Sequence, residues 1–130
     1  MPRFVVLRHD LPDGSFHFYL MLERGGALAT WRISAALGDL PADGAEACRL
    51  DDHRLHYLTH EGDLGGGRGS VRRVDEGTYE ASAWQAGRIE AALAGRGKAY
   101  TLEMTAGASV GALWRLRCRS RTAAGDSSRQ

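Results

Sequence analysis

The five histidines of this 130-residue chain fall into two groups, His9 and His17 near the start and His53, His56 and His60 near the middle. Imidazole is the commonest protein ligand for metals and the side chain best placed to exchange protons near neutral pH. His9 and His17 share one surface if their segments pair as neighbouring strands. Two imidazoles leave a tetrahedral or octahedral cation short of a third protein ligand, and by themselves they more often mean two surface side chains. In His53-Arg54-Leu55-His56-Tyr57-Leu58-Thr59-His60 the spacing i, i+3, i+7 would align three imidazoles on one helical face. No Cys or acidic side chain completes a ligand set at that spacing, and the preceding residues read as strand. A His-rich loop is therefore expected. Asp51 and Asp52 stand just before His53. Asp51 is expected to share a strand face with Arg49 and His53, either in an edge-strand ion pair or as the carboxylate that orients the His53 ring.

Two further stretches invite a phosphate. Gly65 to Gly69 is glycine-rich, but it lacks the Lys-Ser/Thr of a phosphate loop and opens no predicted helix, so it reads as a turn. Arg115, Arg117 and Arg119 alternate with Trp114, Leu116 and Cys118, giving a strand with one basic face. Such a face can track a phosphate backbone or simply be solvated.

The elements that must position these residues are strands. Phe16-His17-Phe18-Tyr19-Leu20-Met21-Leu22-Glu23 alternates strictly, with Phe16, Phe18, Leu20 and Leu22 on one face and His17, Tyr19 and Met21 on the other. Any site belongs on the His17 face. Strands are expected near 3–8, 16–23, 27–33, 46–52, 69–74, 78–84, 87–94, 97–104 and 112–118. The segment 87–94 is alanine-rich, which favours helix, but Ile89, Ala91 and Leu93 alternate and strand is preferred. Turns are expected at Glu23 to Gly26, Asp75 to Gly77 and Gly95 to Gly97, and a surface loop over Ser34 to Gly44. The fold class is all-β: one antiparallel, barrel-like domain of about eight strands over 1–119 with little helix. Its interior is expected to hold Phe16, Phe18, Leu20, Leu22, Trp31, Leu93, Trp114 and Leu116. The small polar residues from about Ser120, over 120–130, read as a disordered tail.

Charge is balanced at a net +1, which argues against non-specific nucleic-acid binding by a strongly basic body while leaving room for a local basic groove. Cys48 and Cys118 lack metal-ligand spacing and read as reduced core thiols. No run of apolar residues is long enough to span a membrane, and no signal peptide is apparent. A cytoplasmic protein of bacterial character is expected.

In order along the chain, these pieces resemble the 3′-phosphoesterase domain of bacterial DNA ligase D. The resemblance rests on Phe4-Val5-Val6-Leu7-Arg8-His9-Asp10, on the strand Phe16 to Glu23, and on Gly26 followed by Thr30-Trp31-Arg32-Ile33-Ser34. It continues through Asp51-Asp52-His53-Arg54-Leu55-His56-Tyr57, Glu61-Gly62 and Gly77-Thr78-Tyr79-Glu80. It implies an antiparallel barrel with a groove across one side. It also implies trimming of a 3′-terminal ribonucleoside and removal of the 3′-phosphate with a manganese-type divalent metal. By this resemblance His9 and His17 match the two metal-binding histidines, and His53 and Tyr57 match an active-site His and Tyr. Asp51 stands where a Glu is usual.

The departures are as specific as the matches. The third metal ligand, an Asp in the family, is Tyr19 here, and the phosphate-contacting Arg is Met21. Other basic positions fall near Ala35 and Ala45, and the gap between His9 and His17 is longer, through Leu11-Pro12-Asp13-Gly14-Ser15. A hard, oxygen-preferring cation loses its carboxylate, and the phosphoryl group loses cationic partners. Arg32, Arg49, Arg115 and Arg117 are the remaining candidates for nucleic-acid contact. The expected function is a catalytically impaired member in a DNA-repair setting that binds nucleic-acid 3′ ends or repair proteins, with metal absent or weakly held. The alternatives are an active metal-dependent enzyme with an altered site and an unrelated ligand-binding barrel.

Overall fold

Phe4-Val5-Val6-Leu7 is buried at every position, so this strand needs apolar cover on both faces. In the computed structural model, which describes residues 1–107 and 112–122, that need sets the architecture. The strands are β1 (Arg3–Asp10), β2 (Phe16–Arg24), β3 (Ala27–Ile33), β4 (Ala45–His53), β5 (Gly62–Asp63), β6 (Ser70–Gln85), β7 (Arg88–Ala94), β8 (Lys98–Ala106) and β9 (Leu113–Thr122). Their order is β1-β2-β3-β4-β9-β8-β7-β6, and β6 pairs back onto β1 to close an antiparallel barrel of eight strands. The two-residue β5 adds to the edge of β6. The segment 87–94 is a strand, as its alternation implies.

The barrel interior takes one face of each strand: Phe4 and Val6, Leu20 and Leu22, Trp31 and Ile33, Leu93, Leu102, Trp114 and Leu116. A second, outer cluster joins Val5, Leu7, Met21, Leu28, Leu58 and Val71. It is roofed by the segment that follows β4, a 3₁₀ turn at Leu55–Leu58 and the loop leading through Leu64.

Four expectations need correction. Phe16 is 47% exposed rather than internal. The β1–β2 hairpin outruns the barrel, Asp10–Phe16 being its last pair, and Phe16 lies under the Arg8 guanidinium, 3.9 Å from the ring centroid. Phe18, one step nearer the barrel, is half-buried against the core. The stretch Asp75 to Gly77 is not a hairpin turn. It lies inside the 16-residue β6, whose first half pairs with β1 and whose second half pairs with β7. Partner positions pass from Val6–Asp75 to Leu7–Arg73, so Val74 is an extra, bulged residue that bends the strand round the closure. Gly77 is required there because a Cβ would collide with the Ala94 carbonyl. The loop after β3 is not merely superficial either: a 3₁₀ turn at Leu37–Asp39 brings Leu37 and Leu40 into the inner core. Finally, β9 runs to Thr122, beyond the boundary expected near Ser120; residues 123–130 of the expected tail lie outside the described residues. Both cysteines are free and half-buried, and burial pushes the Cys118 thiol up to about 11.

The bend in β6 is held by a buried carboxylate. Asp75 Oδ1 accepts from the backbone N–H groups of Glu76 and Arg96, each at 2.8 Å. Asp75→Ala leaves two donors unsatisfied at the closure, and urea denaturation is expected to show a loss of about 2 kcal/mol with an unchanged m-value. An unchanged midpoint would show that the bend holds without this carboxylate.

Candidate active site

Because β1 and β2 bury their even-numbered residues inward, their odd-numbered residues form the outer face. Register places His9 opposite His17, Leu7 opposite Tyr19 and Val5 opposite Met21. β3 then sets Arg32 beside Tyr19 and Thr30 beside Met21. On β4 the phase changes. Thr30 faces Leu50 while Leu28 faces His53, so β4 spends one more residue than β3 over this span. The bulge turns both Leu50 and His53 outward. Arg49 therefore does not share a face with His53, as plain alternation would have it. It pairs with Trp31 and turns inward to the barrel mouth.

The outer face, the β1–β2 turn and the roof after β4 enclose a cleft of about 360 Å³. Leu7, Met21, Leu50 and Val71 supply apolar walls, as do Leu11, Pro12 and Leu64. The polar groups are few: His9, Tyr19, His53, Tyr57 and the Gly67–Arg68 loop. His17 lies half-buried beside the cleft, its ring 6.4 Å from that of Tyr19.

The hydrogen bonds define protonation states. His9 Nε2 is 2.7 Å from the Arg68 carbonyl, which can only accept, so Nε2 carries the proton. In the neutral ring Nδ1 is then an acceptor, and the Tyr19 hydroxyl, 3.3 Å away, donates to it. Both nitrogens of His9 are thus engaged. Burial pushes the Tyr19 phenol above its ordinary value, against the pull of nearby Arg32, so it is a neutral phenol at pH 7. His53 Nδ1 donates to the backbone carbonyl of Asp51 at 2.9 Å. The expected orienting group is present, but it is the main-chain oxygen and not the Asp51 carboxylate. His53 Nε2 keeps a free lone pair beside Tyr57, whose ring centroid is 5.6 Å away at 74°.

Three nearby carboxylates are engaged elsewhere. Asp10 pairs with Arg8 at 3.0 Å, Asp13 accepts from the Ser15 hydroxyl and N–H, and Asp52 pairs with Arg49. Among the described residues no group of three or more His, Cys, Asp or Glu is placed to share a metal ion. His56 and His60 stack on each other at 4.7 Å across the end of the 3₁₀ turn, away from His9 and His17.

The arginines fall on three surfaces. Arg32 is exposed beside Tyr19 at the cleft rim. Arg49 stacks over Trp31 at 4.7 Å. Arg115 and Arg117 lie on the outer face of β9, across β3 and β4 from β2. Arg115 donates to the Asp43 carbonyl, and Arg117 faces Glu103 at 4.0 Å. Only Arg32 of this set adjoins the cleft.

The model of the DNA ligase D 3′-phosphoesterase domain matches residues 8–104, a span that starts within β1 and takes in every residue of the cleft but Leu7. The chain belongs to the DNA ligase D 3′-phosphoesterase family. It is 34% identical over 67 residues to the multifunctional non-homologous end joining protein LigD of Mycobacterium bovis and, equally, to the LigD DNA repair protein of Mycobacterium tuberculosis. Those alignments take in 49% of this chain and 9% of each relative, so the chain spans a small part of their length. The family match stops short of Arg115 and Arg117.

Of the residues expected to share one groove, His9, Tyr19, Met21, His53 and Tyr57 line the cleft, whereas His17 stands beside it; Leu50, Val71, Pro12 and the Arg68 carbonyl were not foreseen. The last had a signal. Gly65, Gly66, Gly67 and Gly69 all hold positive φ, and a Cβ at Gly69 would collide with the Asp10 carbonyl. The glycine run is what folds the loop against the end of β1.

The hydrogen bonds fix a spectroscopic outcome. Long-range ¹H–¹⁵N spectra above the imidazole pKa should report His9 as the Nε2–H tautomer and His53 as Nδ1–H. Tyr19→Phe should shift His9 Nδ1 and leave His53 unmoved. The opposite tautomer at His9 would contradict this geometry.

Proposed function

We propose that this chain is a divergent 3′-phosphoesterase-family domain that engages nucleic-acid ends while its metal-dependent 3′-processing is weakened. One observation carries the reading. The residue standing where the family places its third metal ligand, Tyr19, is a neutral phenol hydrogen-bonded to His9, whose other nitrogen is committed to Arg68. The donor set fits a hard divalent cation poorly, because such ions favour carboxylate oxygens and need ligands with free lone pairs. Met21 adds an apolar thioether, buried in the outer cluster, where a guanidinium would meet phosphate. Family membership and the mycobacterial end-joining relatives support a setting in DNA repair, with nucleic-acid 3′ ends or repair proteins as partners. Of the arginines, Arg32 is best placed to meet a backbone at the cleft.

The reading also explains what the domain retains. The roof, the loop carrying Arg68 and the oriented His53 surround a cleft whose walls are mostly apolar. A binding role makes use of such a scaffold, and phosphoryl transfer, which depends on charge stabilisation, does not.

With manganese and a 3′-ribonucleotide or 3′-phosphate primer-template, the wild-type protein is expected to show little processing. Tyr19→Asp with Met21→Arg should recover part of it, since the metal site and phosphate clamp act as a unit. If the double variant does not fold, Tyr19→Asp alone, which leaves the buried Met21 in place, should still gain manganese binding that the wild type lacks. Robust wild-type turnover abolished by His17→Ala would instead establish an active enzyme with an altered site.

A further inference from the structure

We propose that the cleft takes the unpaired terminal base of a nucleic-acid end, and not its terminal phosphate; this rests on the end-binding reading above and names what the site holds. The first support is the nature of the walls. Leu7, Met21, Leu50 and Val71 offer nothing to a phosphate, whose burial among them without partners is costly. Among the described residues Arg68 is the sole arginine lining the cleft, and its guanidinium is folded back onto the carbonyls of Leu64 and Gly65. A neutral heteroaromatic ring carries no such penalty.

The second support is the aromatic lining. Tyr19, His53 and Tyr57 present ring faces and edges within one neighbourhood, with centroids 6.5 Å apart for Tyr19–His53 and 5.6 Å for His53–Tyr57. Bases stack on such side chains whatever their sequence. His53 Nε2, unbonded among the described residues and fixed as an acceptor by its Nδ1–H bond to Asp51, can receive an exocyclic amino or ring N–H.

The third is size and charge. A volume of about 360 Å³ lies at the low end of small-molecule clefts, suited to one base with its sugar and too small for a duplex. The interior is close to uncharged while the rim carries Arg32, which is exposed and makes no ion pair among the described residues. That pattern complements a neutral base attached to an anionic backbone. A free apolar ligand would leave the cation without a role.

The test uses the full chain and 5′-labelled duplexes with a one-nucleotide 3′ overhang, followed by fluorescence anisotropy at low salt. Three ends are compared: a base, an abasic tetrahydrofuran, and a base bearing a 3′-phosphate. Removing the base should weaken binding about tenfold, the scale of one base–aromatic stack. Adding the phosphate should bring no gain. Tyr57→Ala should bind the base end about as weakly as the wild type binds the abasic end, and a far-UV circular dichroism spectrum matching that of the wild type reports an intact fold. Equal wild-type affinity for base and abasic ends would overturn base capture and leave end binding standing, as would tighter binding of the phosphate end. No binding to any duplex would overturn the end-binding reading itself. The substrate comparison in the wild-type protein decides the matter even if Tyr57→Ala does not fold.

Discussion

The structure depends on burying β1 on both of its faces. Closure against β2 and β6 places Phe4 and Val6 inside the barrel, and this would be enough for an ordinary antiparallel strand. Val5 and Leu7 need a second cover, which comes from Leu58, Val71 and the chain between β4 and β6. That cover is what makes a cleft. Because the roof is pinned by apolar contacts along Val5 and Leu7, the next outward residue of β1, His9, emerges at the cleft edge. The glycine loop meets it there through the Arg68 carbonyl. The hydrophobic demand of a single strand thus sets the location of the polar chemistry.

Within that frame the proposed function turns on Tyr19. A carboxylate at Tyr19 would sit beside two imidazoles, His9 and His17, on one sheet face. The phenol there donates a hydrogen bond to His9 Nδ1 and occupies the lone pair a cation would use. Met21 lengthens the apolar floor in the same row as Val5, Thr30 and Leu50. On the proposed reading, an apolar Met21 in place of a guanidinium would strengthen the outer cluster that holds the roof. The same change lowers the electrostatic stabilisation available to a phosphoryl group. On the proposed reading, stability and phosphoryl chemistry pull in opposite directions at these two positions.

Much of the barrel was legible because period-2 alternation is a local signal. It placed β2, β3, β7 and the facing of Leu93 and Leu116, and it overruled the alanine-rich helix propensity of 87–94. It failed where registers shift. Asp75-Glu76-Gly77 has the composition of a hairpin turn, yet the long-range pairing of β6 with both β1 and β7 makes it a bend within one strand. Arg49 and His53 keep the same parity, but the β4 bulge sends one to the barrel mouth and the other to the cleft. Phe16 obeys the alternation but lies past the end of the barrel, where the inward face meets solvent. In the site, residue types and family motifs located His9, Tyr19, His53 and Tyr57. The Arg68 and Asp51 carbonyls, which set the tautomers, carry no side-chain identity for a sequence to display.

The central claim is that Tyr19 closes the metal position by holding His9. Titration of the wild-type protein with manganese, followed by the electron paramagnetic resonance of the free ion, tests it most directly. The account predicts no saturable binding in the wild type and the appearance of one site in Tyr19→Asp. Stoichiometric binding by the wild-type protein that is lost in His9→Ala would contradict it.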